Sequence, residues 1–346
     1  MIVQENLNEK VSQPRLCQGT NEFRGISWDE LENRFIYSTF QIFLKKQEIY
    51  YIKEGQIIRL DTIKDETKEP DYLTNLDQIK FLNWIGSCDK KNQKIGKWIT
   101  IWKGGVLQGI GGYYAEGEKQ GLWKEISKNF QNQAQIYEYG EYMNDKRQGI
   151  WKHLYKQTEI GGGRYNPLGQ RHGKWIQASD SFWDQSNITY IGVYENGIKI
   201  GLWDIQFNEK GIDYLVGGGF YDQGVKVGHW VDIFDGFWFH SCITYHGEYN
   251  KGKKIGNWNS FWDARSKIGG GSYDEGIKIG NWIEVSDGIF DQSIVTFMGE
   301  YNKGQKIGRW ETLFSDKGNI QWMQDYFQKQ LILLVVVENM MKKAKV

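Results

Sequence analysis

The stretch YHGEYNKGKKIGNW, residues 245–258, contains the two elements that recur along this chain of 346 residues. The first is a glycine followed two residues later by a tyrosine, here Gly247 and Tyr249. The second is a basic residue, any residue, a glycine, any residue and a tryptophan, here Lys254, Gly256 and Trp258. The tryptophan of this second element occurs nine times, at Trp98, Trp123, Trp151, Trp175, Trp203, Trp230, Trp258, Trp282 and Trp310. Self-similarity of this kind is the signature of a repeat protein, so we predict an array of nine small units.

Each unit is predicted to fold as a tight β-hairpin. The glycines of the two elements are nine residues apart in seven units and ten apart in the other two. Midway between them lies a residue suited to the left-handed conformation of a short turn, with Asp145 and Gln93 where glycine is missing. The seven glycines at this position are Gly117, Gly169, Gly197, Gly224, Gly252, Gly276 and Gly304.

Both faces of these hairpins carry apolar side chains. A period of two places Lys254, Gly256, Trp258 and Ser260 on one face, and we expect Gly256 to leave room for a ring from the next unit. The residue three positions after the tryptophan, on the opposite face, is apolar in eight of nine units. The units also alternate in type, and a pair of hairpins repeats every 52 to 55 residues. The predicted fold is therefore all-β, an elongated single layer of antiparallel hairpins with little helix.

Four segments follow from this pattern. We predict a disordered N-terminus over residues 1–22, degenerate strands and a connector over 23–80, the nine-unit array over 81–318, and a capping segment with a basic tail over 319–346. Ser27 and Glu30 fit a capping box for a short helix reaching Phe35. For the apolar residues 331–337 we consider a terminal strand or cap first, then a packed helix, then a peripheral membrane contact.

Composition restricts the class of protein. The chain has 43 basic and 43 acidic residues, a balance that argues against nucleic-acid binding by the protein's overall charge. Three cysteines without metal spacing and the absence of a secretory signal indicate a cytoplasmic protein, with attachment to a membrane or the cytoskeleton as an alternative. Seven consecutive apolar residues are too few for a transmembrane helix.

The element Tyr-any-Gly-Glu-Tyr followed by Asn-Lys-Gly-Lys-Lys-Ile-Gly, over residues 245–256, resembles the MORN repeat. The form that ends in Gly-any-Trp is most similar to the MORN-like repeats of the YwqK family. The resemblance covers about two thirds of the chain. It implies a twisted hairpin array, roles in scaffolding, dimerisation or phospholipid binding and, from family labels, an antitoxin component.

The most regular polar feature is the basic residue two positions before each second glycine. Stacked hairpins would align these cations on one face, where they could meet anionic lipid headgroups or an acidic partner. In the alternative interpretation, which we favour, each stem lies over a neighbouring ring and its head pairs with a carboxylate such as Glu141, Glu195, Glu248 or Glu300. This cation ladder consists of Lys94, Lys119, Arg147, Arg171, Lys199, Lys226, Lys254, Lys278 and Lys306.

The sequence offers no catalytic, metal or cofactor-binding residues that we would assign. Residues 247–253 match part of a phosphate-binding loop, but Lys254 stands where serine or threonine must hold magnesium. His240, Cys242 and His246 lack the spacing and the fourth ligand of a zinc site. We therefore expect no enzyme, no cofactor and no small-molecule substrate.

We expect a non-enzymatic scaffold that binds a protein partner, or a copy of itself, through an extended aromatic and basic face. The first alternative is a peripheral protein that binds anionic phospholipid through the cation ladder. The second is an antitoxin-like inhibitor. The identity of the partner and the oligomeric state do not follow from the residues.

Overall fold

The computed structural model describes residues 19–29, 34–63, 72–237, 241–263, 265–290, 293–316 and 319–322. The chain divides into two compact units. The first contains the described residues from 19 to 215 together with 221–225, and the second contains 216–220 and the described residues from 226 onward. Strand dominates both units, and the described residues contain one helix, which has six residues.

The first unit begins with a four-stranded antiparallel sheet in the order β1-β2-β3-β4. Its strands are β1 (Gly19–Asp29), β2 (Arg34–Lys45), β3 (Glu48–Lys53) and β4 (Gln56–Thr62). β1 already includes residues 19–22, which were expected to be disordered. The predicted helix near Ser27 is wrong, because Trp28 and Asp29 of β1 pair with Phe35 and Arg34 of β2. The cross-strand partner thus decides the conformation of a segment whose local sequence also fits a helix start.

Part of the predicted connector is folded. Helix α1 (Leu76–Phe81) begins after Asn75, whose side chain accepts hydrogen bonds from the N–H groups of Asp77 and Gln78. Leu76 and Ile79 pack with the inner residues of the four-stranded sheet, including Ile42 and Tyr51. The predicted strands between Phe35 and Asp61 are confirmed, but they form a sheet with its own core.

The repeats begin at β5. In the first unit each strand from β5 to β13 pairs antiparallel with the next strand along the chain. The strands are β5 (Leu82–Cys88), β6 (Lys94–Trp102), β7 (Gly105–Ala115), β8 (Glu118–Ile126), β9 (Ile136–Met143), β10 (Lys146–Tyr155), β11 (Thr158–Tyr165), β12 (Arg171–Ala178), β13 (Ile188–Glu195) and β14 (Ile198–Glu209). β15 (Ile212–Asp222) contributes residues to both units.

The same pattern continues in the second unit, where each strand from β16 to β23 pairs antiparallel with its successor. These strands are β16 (Val225–Ile233), β17 (Ile243–Asn250), β18 (Lys253–Trp262), β19 (Ser266–Asp274), β20 (Ile277–Phe290), β21 (Ser293–Asn302), β22 (Gln305–Asp316) and β23 (Asn319–Trp322). The predicted all-β array of antiparallel hairpins with little helix is confirmed. β23 lies beyond the predicted end of the array at residue 318, and residues 331–337 are outside the described residues.

Turn chemistry explains the constant hairpin length. In seven of the nine repeat hairpins both central turn residues have positive φ, which is the geometry of a type I′ turn. At Lys251 and Gly252, for example, φ is 46° and 80°. Asp145 takes this conformation as predicted, with φ of 60°. Gln93 does not, because Asn92 has the positive φ of 62° and Asp89 accepts hydrogen bonds from the N–H groups of Lys91 and Gln93.

The glycine before each tryptophan forms a bulge. These nine glycines have φ between 60° and 77°, and the register shifts by two residues beside them. In the hairpin of β17 and β18, for example, His246 pairs with Asn259 while Glu248 pairs with Ile255. A side chain at Gly256 would meet nothing within 4 Å. The expectation that Gly256 makes room for a ring is therefore wrong. Gly256 instead allows the positive φ that the bulge requires.

Candidate binding faces of the hairpin array

In each unit the inner face of the array carries a stack of alternating tryptophan and tyrosine rings. Neighbouring centroids are 5.0 to 6.0 Å apart in the first unit and 4.9 to 6.2 Å apart in the second, in edge-to-face geometry. The stack in the first unit runs Trp98, Tyr114, Trp123, Tyr142, Trp151, Tyr165, Trp175, Tyr194, Trp203 and Tyr221. In the second it runs Trp230, Tyr249, Trp258, Tyr273, Trp282, Tyr301 and Trp310.

Room for each indole comes from the first glycine of the same hairpin. A Cβ added at Gly247 would overlap the Trp258 ring, and the other eight hairpins show the same relationship. The Trp258 indole N–H donates to the Glu248 carbonyl at 3.2 Å, which fixes the ring over the glycine. The two recurring sequence elements are therefore the two halves of one packing contact.

Each member of the cation ladder lies over the tryptophan ring of its own hairpin. The distances from the cationic atom to the ring centroid run from 4.0 Å at Lys254 to 4.9 Å at Arg171. Six of the nine also lie within 5.4 Å of a tyrosine ring of the same stack. The nearest tyrosine rings of Arg147 and Lys254 are at 5.8 and 5.6 Å, and Lys306 lies over Phe297. Cation–π contact of this kind stabilises the stack itself.

Among the described residues, six of the nine charged heads form ion pairs within the protein, and Lys94 and Arg171 contact the hydroxyl groups of Tyr114 and Tyr194 instead. Arg147 is 2.9 Å from Glu125, Lys226 is 2.6 Å from Asp232, and Lys306 is 2.8 Å from Glu284. Lys119 and Lys278 contact Glu125 and Glu284 in turn. The prediction of Glu141, Glu195, Glu248 and Glu300 as acceptors is wrong, because all four are exposed and lie on strand positions that face away from the rings.

The carboxylates that pair with the cation ladder occupy a regular position in the sequence, which the prediction missed. Glu125, Asp232 and Glu284 each stand two residues after a tryptophan, so the period of two returns them to the face of the ring. In the remaining hairpin of this type Gln177 occupies the position and accepts a hydrogen bond from Tyr194 at 3.0 Å. In alternate units, an acid or amide two residues after the tryptophan is therefore the side chain that faces the ladder and its rings.

Burial and charge together set the protonation of this network. Burial by itself would raise the pKa of Glu138, but Arg147 and His153 beside it lower that pKa to about 2. Burial would likewise raise the pKa of Asp232, but Lys226 and Lys254 hold that pKa below its ordinary value. Glu138 and Asp232 therefore remain ionised beside the cations of the ladder at neutral pH.

Alternate hairpins of the array are joined by folded aromatic loops that the sequence reading did not identify. Ser127, Ser179 and Phe234 begin three such loops, and each N–H donates across the loop to an isoleucine carbonyl at 3.0 Å. Their central rings, Phe130, Phe182 and Phe237, are 1% to 3% exposed.

The four-stranded sheet packs on the first two aromatic loops. Ile26 and Phe35 of that sheet contact Ala134 and Trp183. The Gln78 amide of α1 donates to the carbonyl of Ser127 at 2.8 Å. These contacts place the N-terminal sheet over the loops and leave the other face of the array uncovered by it.

The opposite face of the array carries an outer row of side chains, defined as the residue before each tryptophan and the residue after each first glycine. In the first unit the row contains large exposed apolar side chains: Tyr113 is 59% exposed, Leu122 64%, Ile150 69%, Val193 40% and Leu202 64%. Single exposed apolar residues are common on proteins, but a row of them along one sheet face is a candidate interaction surface.

Cations alternate with these apolar residues across the strands. Lys97 pairs in register with Tyr113, Arg164 with Ile150, and Lys174 with Val193. Within the part of the chain that the structure describes, no ion pair involves these three cations. From β16 onward the same positions are polar, in the register pairs His229–Glu248, Asn257–Ser272 and Asn281–Glu300.

No protein-family model matches the chain, and no curated protein sequence matches it either. Among the described residues there is no group of three or more histidine, cysteine, aspartate or glutamate side chains that could hold a metal ion. His240 of the histidine and cysteine cluster is outside the described residues. In the same ranges, no helix has the length and apolar character needed to cross a membrane.

Proposed function

We propose that the protein is a non-enzymatic scaffold of MORN-like hairpin repeats that binds another protein through the outer row of its first unit. The proposal rests on a difference between the two faces of the hairpins. The inner face repeats the same contacts in every hairpin, whereas the outer row changes from exposed apolar and basic residues to polar ones. A repeated framework whose exposed side chains vary along the array supplies an extended surface for recognition.

The inner face is poorly suited to a partner. Its rings are largely buried against one another, and six of its nine cations form ion pairs with Glu125, Asp232 or Glu284. An anionic lipid or an acidic protein would have to take these cations from carboxylates that are at most 15% exposed, which would leave buried negative charge unpaired. The phospholipid alternative is therefore weaker, and the antitoxin alternative has only the family resemblance behind it.

The outer row favours a partner that presents apolar side chains together with carboxylates. Tyr113, Leu122, Ile150 and Leu202 provide the apolar area that dominates interface energy, with Tyr113 of a type enriched at hot spots. Lys97, Arg164 and Lys174 add positive charge beside them, against Glu141 as the one carboxylate in this row. A second copy docked row to row would bring like charges together, so the charge pattern favours a different protein.

The cellular setting is part of the proposal. The chain has three cysteines, without the number or spacing of a disulfide framework, in keeping with a reducing intracellular compartment. We propose a cytoplasmic scaffold without catalytic or cofactor chemistry.

Proximity labelling in the native cell tests the proposal when two variants are compared with the wild type. One variant combines Leu122→Ser, Ile150→Ser and Leu202→Ser in the outer row of the first unit. The matched control combines Asn257→Ser and Asn281→Ser at the equivalent positions of the second unit. We expect the first variant to lose specific labelled partners and the control to keep them, while near-ultraviolet circular dichroism of the tryptophan stack stays unchanged in both. The same partner set for all three proteins would contradict the proposal.

A further inference from the structure

A concavity of about 510 Å³ opens on the outer face of the second unit, between β16, β17 and β18. Its size lies within the roughly 300 to 1,000 Å³ common for small-ligand sites. The polar and aromatic side chains that line it are His229, His246, Glu248, Asn257, Asn259 and Phe261.

The bulge of this hairpin creates the concavity. Gly247 and Gly256 form part of its lining, and neither carries a side chain that would fill the space. The Trp258 ring lies against the inner side of Gly247, so the sheet is closed underneath. On the outer side, a Cβ at Gly256 would meet nothing within 4 Å. Every hairpin has this pair of glycines, so the residues around them decide what the hollow can bind.

One wall of the concavity is aromatic and fixed in place. The His246 and Phe261 rings lie 4.5 Å apart between centroids. A hydrogen bond of 2.9 Å between Thr244 Oγ1 and His246 Nε2 holds the imidazole in its orientation. Burial and the nearby His229 lower the pKa of His246, which keeps this ring uncharged at neutral pH. The two ring planes are inclined by 49°, and together they form a neutral aromatic wall for the C–H face of a ligand.

The remaining lining groups supply hydrogen bonds in both directions. Asn257 and Asn259 each carry an amide donor and an amide acceptor, and the Glu248 carboxylate accepts only. The Asn257 Oδ1 atom already accepts a hydrogen bond from the Ser272 hydroxyl at 2.7 Å, so its amide N–H groups face the ligand's acceptors. Glu248 lies opposite His229 in register and is exposed. In the described ranges it takes part in no ion pair. The site thus combines one carboxylate with neutral donors and acceptors, and it lacks the cluster of cations that a phosphate would need.

The other hairpins do not reproduce this combination. The position of Asn257 is occupied by Leu122, Ile150 and Leu202 in three hairpins of the first unit. The position of His246 is occupied by glycine in four hairpins, which places no ring beside the bulge. The chemistry around the bulge of β17 and β18 is consequently particular to this hairpin.

We propose that this concavity binds a neutral polyhydroxylated ligand of the carbohydrate class. The His246 and Phe261 wall contacts the apolar face of a sugar ring, while Asn257, Asn259 and Glu248 bond its hydroxyl groups. This inference is independent of the outer row in the first unit. It adds a small-molecule ligand where the sequence indicated no small-molecule substrate.

Saturation-transfer NMR on the full chain tests the proposal with a defined panel of probes. The panel contains glucose, galactose, mannose, N-acetylglucosamine, maltose and cellobiose, together with inorganic phosphate and ethylammonium as charged probes. We expect at least one sugar to bind with millimolar affinity. Asn257→Ala and Glu248→Gln should each weaken that binding roughly tenfold, as for the loss of one hydrogen bond to a ligand.

Matched controls come from the hairpins that follow. Asn281→Ala and Glu300→Gln change the same two positions of later hairpins, and both side chains are exposed, so the fold is retained. Binding to these controls should equal that of the wild type. The proposal is overturned if none of the sugars binds the folded wild type, if the controls weaken binding as much as the site variants, or if a charged probe binds better than every sugar.

Discussion

Gly192 lies directly beneath the indole of Trp203, within one hairpin, and a Cβ atom at Gly192 would overlap that ring. Trp203 is 1% exposed and is held edge to face between Tyr194 and Tyr221, at 5.2 and 5.8 Å. The glycine is thus a packing requirement of the indole. The same contact recurs in all nine hairpins, which explains why the two sequence elements always occur together.

Gly192→Ala should destabilise the protein by about 1 to 3 kcal/mol, because the added methyl group forces the ring or the strand to move. Gly105→Ala is the control, since its Cβ would meet only the Trp102 carbonyl at 3.7 Å. Urea titration monitored by tryptophan fluorescence measures both free energies of unfolding. Equal stability of the two variants would show that the stack tolerates a methyl group under the indole.

Trp203→Ala should cost on the order of 3 kcal/mol, because it removes a large buried ring and leaves a cavity in the stack. The loss should also loosen the hairpins on both sides, since repeat units are stabilised by their neighbours. Hydrogen exchange of the flanking strands reports the loosening, and denaturant titration reports the energy. Leu202→Ala, which truncates a side chain that is 64% exposed, should change neither quantity appreciably. A cost below about 1 kcal/mol for Trp203→Ala would contradict the packing described above.

Acid should destabilise the protein partly through Glu138. Its pKa falls from the ordinary 4.5 to about 2 in the folded protein, so its stabilising contribution is full above pH 4.5 and is lost as pH falls towards 2. The shift corresponds to roughly 3 kcal/mol at most. Glu138→Gln should flatten the dependence of the unfolding free energy on pH between 5 and 2, whereas Glu141→Gln, on the exposed face, should leave it unchanged. An identical pH dependence for all three proteins would show that Glu138 does not contribute to the loss of stability in acid.

The double variant Lys226→Gln, Lys254→Gln should destabilise the protein by about 3 to 5 kcal/mol, because Asp232 is left buried without a cation. Both lysines contact Asp232, at 2.6 and 3.7 Å. Lys174→Gln, in the outer row, should keep full stability and weaken the binding of the protein partner. Thermal unfolding and partner capture measured on the same samples separate the two effects. Retained stability together with lost binding to phosphoinositide vesicles in the double variant would instead support the phospholipid alternative.

Much of the fold was predictable because the framework residues are chemically restricted. Gly252 meets the positive φ of a hairpin turn, and the spacing from Gly247 to Trp258 fixes the length of the hairpin. The position of Lys254 over a ring also followed from the period of two. The partner of that lysine did not, because the sequence offered several acids at strand positions and the correct one depends on which face points towards the rings.

The candidate binding faces were less predictable. The apolar residues of the outer row, such as Leu122 and Ile150, are indistinguishable in sequence from core residues until the array shows which face is covered. The concavity beside Gly256 depends on a bulge that shifts the register and on His229 from the preceding strand. Such arrangements join residues from neighbouring strands, and no single repeat contains them.

The repeat, the hairpin, the type of turn and the stacking of cations on aromatic rings all follow from local sequence, since each depends on residues within about thirty positions of one another. Three features required the folded protein: the pairing of Asp232 and Glu284 with lysines of the ladder, the separate N-terminal sheet over the aromatic loops, and the exposure of the outer row. Local geometry limits φ, ψ and spacing, whereas burial and charge pairing depend on which surfaces meet after the strands have stacked.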